Sequence, residues 1–136
     1  MKLGHWVFDG IAPEYFYGFV YIIVNNVTNR KYIGKKQCLT TIKLRPLKGK
    51  KNKRHVEKET DWRSYCGSSE QLLKDMDSLG KDNFSFTIVK FCDSKSELAY
   101  SEAKLQFDND VLLREDYYNG IINVRIGKIA KKNNLS

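Results

Sequence analysis

The hydrophobic positions of this chain fall into blocks of different period. Gly18-Phe-Val-Tyr-Ile-Ile-Val-Asn25 is a nearly unbroken run of aromatic and β-branched residues closed by the turn pair Asn25-Asn26, which predicts a central strand. After Val27-Thr-Asn29, the run Arg30-Lys-Tyr-Ile-Gly-Lys35 alternates weakly, so the two runs predict an antiparallel hairpin with a short loop. Further on, Asn83 to Phe91 places Phe84, Phe86 and Ile88 on one face, the alternation of a third strand paired with that hairpin.

Two blocks have helical period instead. Ser68-Ser-Glu-Gln71 fits an S-x-x-Q capping box and precedes Leu72, Leu73, Met76 and Leu79, with Gly80 as the stop. Ser94-Lys-Ser-Glu97 is a second capping box, opening a helix that carries Leu98, Ala99, Ala103, Leu105, Phe107, Val111 and Leu112. Tyr117 to Ile126 offers a last extended segment around Ile121-Ile-Asn-Val124. Residues 36–60 are poor in apolar positions and contain Pro46 and Gly49, which predicts a loop, with a short helix from about Arg54 onwards as the variant.

The expected architecture is therefore α+β: a small three-stranded antiparallel sheet flanked by helices. A chain of 136 residues suits one hydrophobic core. We divide it into an N-terminal extension (1–17), a domain (18–126) with an insertion at about 36–60, and a basic C-terminal tail (127–136).

Charge changes the picture locally. The formal net charge is +8, yet Lys43, Arg45, Lys48, Lys50, Lys51, Lys53 and Arg54 lie in one stretch without an acidic residue, leaving 17 basic against 16 acidic residues elsewhere. A basic cluster in an otherwise neutral chain is the footprint of a polyanion site, because phosphates neutralised by cations release condensed counterions. A solvated loop or a localisation-like tract is the bland alternative. No apolar run approaches a membrane span, and Met1 to Gly10 does not resemble a signal peptide, so the expectation is a soluble, cytoplasmic protein with no membrane partner. Cys38, Cys66 and Cys92 are widely spaced and lack a CxxC pair, which argues against a disulfide framework or zinc knuckle.

One residue resists a packing explanation. At 100° per residue Glu102 falls on the stripe of Leu98, Ala99 and Leu105, where a carboxylate must be paired, solvated in a cleft or bound to a cation. It is the metal-ligand candidate; a lysine salt bridge at the helix margin is the simpler account. Tyr21 and Tyr32 sit on the two arms of the hairpin, in Phe19-Val-Tyr21 and Tyr32-Ile-Gly34, where strand pairing brings their phenols to one end of the sheet.

These triplets, eleven residues apart, resemble the halves of the GIY-YIG nuclease motif, with Phe-Val-Tyr in place of Gly-Ile-Tyr and Tyr-Ile-Gly matching outright. The order continues through Tyr65-x-Gly-Ser-Ser69 and a helix, the strand after Gly80-Lys-Asp-Asn-Phe84, the helix bearing Glu102, and a terminal asparagine. Over about Gly18 to Val124 the chain resembles the free-standing, homing-type endonucleases of this family carried by tailed bacteriophages. The resemblance implies a hydrolase cutting phosphodiester bonds of double-stranded DNA with one Mg2+ (or Mn2+) held by Glu102, and with Tyr21 or Tyr32 orienting or deprotonating the attacking water. It further implies an arginine clamp on the phosphate, for which Arg45, Arg54 and Arg63 compete, Arg54 preferred and Arg63 second, and an asparagine, Asn123 preferred over Asn119. Lys35 and Lys36 would line the cleft mouth, and the Lys43 to Arg54 segment would track the DNA backbone. Without a reader module, specificity falls to the insertion, the tails, a homodimer or a partner protein. Two competing readings remain: a DNA-binding module of the same fold without catalysis, and a basic RNA-binding protein whose tyrosines stack bases.

Overall fold

The central strand forms where the sequence places it. In the computed structural model, which describes residues 2–129, β2 spans Gly18–Asn25 and pairs on one side with β3 (Lys31–Gln37) and on the other with β6 (Phe84–Cys92), both antiparallel. The β2–β3 turn is held by Asn25, whose carboxamide oxygen accepts from the backbone N–H groups of Val27 and Thr28, and Asn29 takes the left-handed conformation with φ 63°. Opposite Val20 and Tyr21 the register of β6 shifts, a bulge of the kind that re-aims side chains.

The sheet has four strands, not the three expected. A two-residue strand β1 (Val7–Phe8) lies parallel to β6, giving the order β1-β6-β2-β3 and a mixed sheet. Two residues carry no readable alternation, which is why the strand is invisible in the sequence. The N-terminal extension packs into the same core: Trp6 is buried and its indole N–H donates to the Trp62 carbonyl at 2.6 Å.

Residues 36–60 differ more. Lys36 and Gln37 finish β3, the rest forms an antiparallel ribbon of β4 (Leu39–Leu44) and β5 (Arg54–Glu59), and no helix starts at Arg54. Charged and threonine positions hide the period-two pattern of Thr40, Ile42 and Leu44 against Arg54, Val56 and Lys58, while Pro46 and Gly49 (φ 84°) belong to the turn at its tip.

Helix α1 (Glu70–Leu79) is capped by Ser69, one residue later than the capping box places it: the Ser69 hydroxyl accepts from Leu72 N–H at 3.3 Å. Helix α2 (Lys95–Asp108) is capped by Ser94 as expected but stops before Val111 and Leu112. No strand forms at 121–124; after α2 the chain returns along β3 and, among the described residues, bridges it at Tyr117.

The alternation of β2 builds two cores. Phe19, Tyr21 and Ile23 face Trp6, Trp62, Leu72 and Met76, while Val20 faces Leu98, Val111 and Tyr117 beneath α2. No helix among the described residues is long and apolar enough to cross a membrane. Residues 130–136, most of the basic tail, lie outside the described residues.

Candidate active site at the edge of the sheet

β3 is an edge strand, so every second residue turns its backbone N–H and C=O away from β2 toward whatever covers the edge. The returning chain covers it residue by residue. Lys31 N–H donates to the Asp116 carbonyl at 2.8 Å and Tyr118 N–H to the Lys31 carbonyl at 2.7 Å, as in a parallel ladder. At Ile33 a side chain replaces the backbone. The Asn119 carboxamide accepts from Ile33 N–H at 3.0 Å and donates to its carbonyl at 2.8 Å, and Gln106 from α2 donates to the same carbonyl at 3.0 Å. Two residues on, at Lys35, the partner is Glu102: its carboxylate lies 3.8 Å from the Lys35 ammonium and takes a hydrogen bond from the Lys35 backbone.

Glu102 is thus a carboxylate held at a sheet edge, its side chain 16% exposed. Burial pushes its pKa above the ordinary carboxylate value; the charge and hydrogen bonds of Lys35 pull the other way. The packing argument from sequence and its lysine alternative both describe this residue: α2 buries Leu98, Ala99, Ala103 and Gln106 on either side of it, and Lys35 is its ion-pair partner.

On the other face of β3, Tyr21 and Tyr32 come together with ring centroids 6.2 Å apart. Tyr21 sits opposite Gly34 across the β2–β3 ladder, and its phenol occupies the space that a Cβ on Gly34 would need. Tyr21 is 1% exposed and packs edge-on against Tyr65. Tyr32 is half-buried and shares a hydrogen bond with the Ser68 hydroxyl at 3.0 Å. Burial raises both phenol pKa values, that of Tyr21 strongly, with Tyr32, Tyr65 and Glu102 adding to the effect, while the Ser68 hydrogen bond opposes it at Tyr32. Both rings are neutral proton donors near pH 7.

Tyr32, Ser68, Glu102, Tyr118, Asn119 and Asn123 line one polar cleft of about 330 Å³. A second cavity, lined by Val20, Val89, Tyr100 and Leu105 between β6 and α2, is mainly apolar and lacks this grouping.

Among known families, residues 5–122 match the family model described as "Putative endonuclease segE, GIY-YIG domain". The chain belongs to the GIY-YIG nuclease superfamily. No curated protein and no solved structure matches it. The match begins at residue 5, so it includes the N-terminal segment that buries Trp6.

The structure of this GIY-YIG domain separates the residues singled out from sequence. Tyr32, Glu102 and Asn123 share the cleft, with Tyr21 directly behind Tyr32. Asn123 is not strand-borne; Asn119 is the asparagine fixed to the Tyr-Ile-Gly strand. Among the described residues, none of the competing arginines lines the cleft. Arg54 is at the tip end of β5, opposite Leu44, its Nε donating to the Arg45 carbonyl at 3.3 Å. Arg63 grips both oxygens of Glu59, at 3.1 and 3.4 Å, and donates through Nε to the Lys2 carbonyl at 3.0 Å. Lys36 pairs with Asp61 at 3.0 Å and covers the Tyr65 ring. Lys43 lies on β4 and Lys48, Lys50, Lys51 and Lys53 on the tip of the ribbon.

Sequence reasoning misses Ser68, Gln106 and Tyr118. Gln106 carries a legible signal, a polar residue one helical turn from Glu102 on the same stripe. Tyr118 carries none: it joins the site because its hydroxyl donates to Asp75 at 2.7 Å and accepts from Asn25 at 3.0 Å, while Arg30 stacks 4.1 Å above its ring. The capping box gives Ser68 the role of helix cap, which Ser69 takes instead, leaving the Ser68 hydroxyl for Tyr32.

Proposed function

We propose that this protein is an endonuclease hydrolysing phosphodiester bonds of double-stranded DNA with a divalent cation, Mg2+ or Mn2+, in the cleft at the edge of β3. The observation that carries the proposal is the convergence of Glu102 and Tyr32 on one polar cleft, from opposite faces of the Tyr-Ile-Gly strand. Among the described residues no three His, Cys, Asp or Glu side chains cluster as a metal cage. The donor set fits a hard, largely hydrated cation bound through one carboxylate, which is Glu102. Such a cation supplies charge stabilisation to a phosphate oxygen and to the leaving oxyanion.

The chain's own residues have distinct roles. Lys35 favours the ionised form of Glu102, opposing the rise in pKa that burial imposes. Tyr32, the phenol that reaches the cleft, orients the attacking water or a phosphate oxygen as a proton donor; Tyr21, sealed behind it, fixes the position of its ring. Asn119 and Gln106 hold the strand, and Asn123 presents an amide to the substrate. Arg54 meets the DNA at the ribbon rather than at the scissile phosphate, its lysine neighbours meet the DNA backbone there, and Lys35 stays with Glu102. Kinship with segE-type endonucleases supports a free-standing, homing-type or DNA-degrading role in a phage-infected cytoplasm. A homodimer or a partner protein would add to specificity.

Magnesium-dependent nicking of supercoiled plasmid tests the proposal. Wild type should convert the plasmid and lose that activity in EDTA; Glu102→Ala should bind DNA with wild-type affinity and leave it intact. The cleft without an arginine favours one second reading, a DNA-binding module of the same fold that does not cut. Tight plasmid binding by the wild type without nicking in Mg2+ or Mn2+ would establish it.

A further inference from the structure

The β4–β5 ribbon has two unlike faces. Residues directly opposite in an antiparallel ladder share a face, so Leu39, Thr41, Lys43, His55, Glu57 and Glu59 lie on one side and Thr40, Ile42, Leu44, Arg54, Val56 and Lys58 on the other. The first face carries both acidic residues and is turned to the body of the protein: Tyr15 donates to Glu57 and Arg63 pairs with Glu59. The second face has no acidic residue. At its centre the cross-strand pair Ile42 and Val56 is 38% and 40% exposed, flanked by Thr40, Arg54 and Lys58.

An apolar pair displayed on the free side of an isolated two-stranded ribbon adds nothing to a core, and such a ribbon is marginally stable alone. Basic flanks without a single acid specify a polyanion rather than an apolar protein surface. Dimensions select the form of that polyanion. Strands of six residues span about 20 Å at ~3.4 Å per residue and lie about 4.8 Å apart. A two-stranded ribbon of that width enters the major groove of B-form DNA, about 12 Å wide; the deep, narrow major groove of duplex RNA does not admit it.

We infer that the β4–β5 ribbon is a sequence-reading arm that lays its acid-free face, centred on Ile42 and Val56, into the major groove of duplex DNA beside the cut site. The apolar pair meets thymine methyl groups, Thr40 and the Nη groups of Arg54 reach base edges, and the tip lysines Lys48, Lys50, Lys51 and Lys53 hold the flanking phosphates. This rests on the reading of duplex DNA as substrate, and it gives a domain without a separate reader module its own source of sequence preference.

The test is selection of duplexes from a random pool by the full chain in EDTA, where no cutting occurs, followed by binding to the enriched sequence. The wild type should enrich a short motif. Replacing its thymines by uracil, which removes only the major-groove methyls, or its guanines by 7-deazaguanine, should weaken binding about tenfold toward the level of a scrambled duplex. Ile42→Thr/Val56→Thr, which keeps β-branching and the ribbon, should lose the preference and retain non-specific affinity. Lys50→Glu/Lys51→Glu should weaken preferred and scrambled duplexes alike. The inference falls if no motif emerges, if the motif is indifferent to major-groove changes, if the Thr double variant keeps its full preference, or if single-stranded RNA binds more tightly than any duplex. A motif read by the ribbon in a chain that nicks no plasmid would sink the nuclease reading alone; nicking without any motif would sink the ribbon alone.

Discussion

The phenol of Tyr21 lies across the ladder over the Cα of Gly34, in the volume a side chain there would fill. One half of the sequence motif is thereby shaped around the other: the glycine of Tyr-Ile-Gly makes room for the tyrosine of the preceding strand, and Tyr32 closes the same space from the other side. Gly34→Ala should therefore overpack this junction, lowering stability by about 1–3 kcal/mol with an unchanged urea m-value. Tyr21→Phe removes the hydroxyl and leaves the ring carbons that also crowd the position, so the double variant should recover part of that stability. A strictly additive double-mutant cycle would show that the two residues do not share the space.

Glu102→Gln should separate function from stability. Because burial raises the pKa of Glu102 in the folded chain above its unfolded value, the folded state binds the proton more tightly, and the stability linked to it is present at low pH and lost as pH rises through the folded pKa. A neutral isostere avoids that cost at pH 7. Nicking should vanish while Tm stays level or rises by about 1–4 °C; a clear drop in Tm would mean that the Lys35 pair outweighs the desolvation.

The same residue should set the acid limb of the proposed activity. Nicking should fall as acid protonates Glu102, because a cation requires the ionised form. Lys35→Ala removes the main influence that lowers the Glu102 pKa and should move the limb to higher pH. A pH profile that does not shift would detach Lys35 from the titration.

Asn119 and Asn123 should respond differently. Asn119→Ala takes the carboxamide oxygen away from the buried Ile33 N–H, a loss of about 1–3 kcal/mol, visible in chemical denaturation. Asn123→Ala, exposed at the cleft, should reduce the nicking rate and leave the denaturation midpoint in place. Equal destabilisation by both would contradict the edge-capping role given to Asn119.

At the ribbon tip, Lys50→Glu/Lys51→Glu should weaken DNA binding and flatten its salt dependence by roughly 0.9 in log–log slope for each phosphate no longer neutralised. An unchanged slope would make these lysines solvated surface.

Local chemistry in the sequence determined much of this protein. The β-branched run of β2 requires a central strand, Ser94 caps α2 through Glu97 N–H, Gly80 ends α1 with its N–H bound to the Met76 carbonyl, and a carboxylate on the apolar stripe of α2 marks Glu102 before any fold is known. The eleven-residue spacing of Tyr21 and Tyr32 likewise fixes both on one sheet face once their strands pair. What tertiary structure decided are the features whose partners are distant in the chain. Asn119 finds Ile33, 86 residues away, and Gln106 finds the same carbonyl from 73 residues away; no local pattern distinguishes these amides from surface ones. β1 is too short to show a period, and it exists because β6 offers an edge. The basic segment becomes a ribbon with a clean and an acidic face only when β4 and β5 pair in one register, and that register, not composition, sorts its charges.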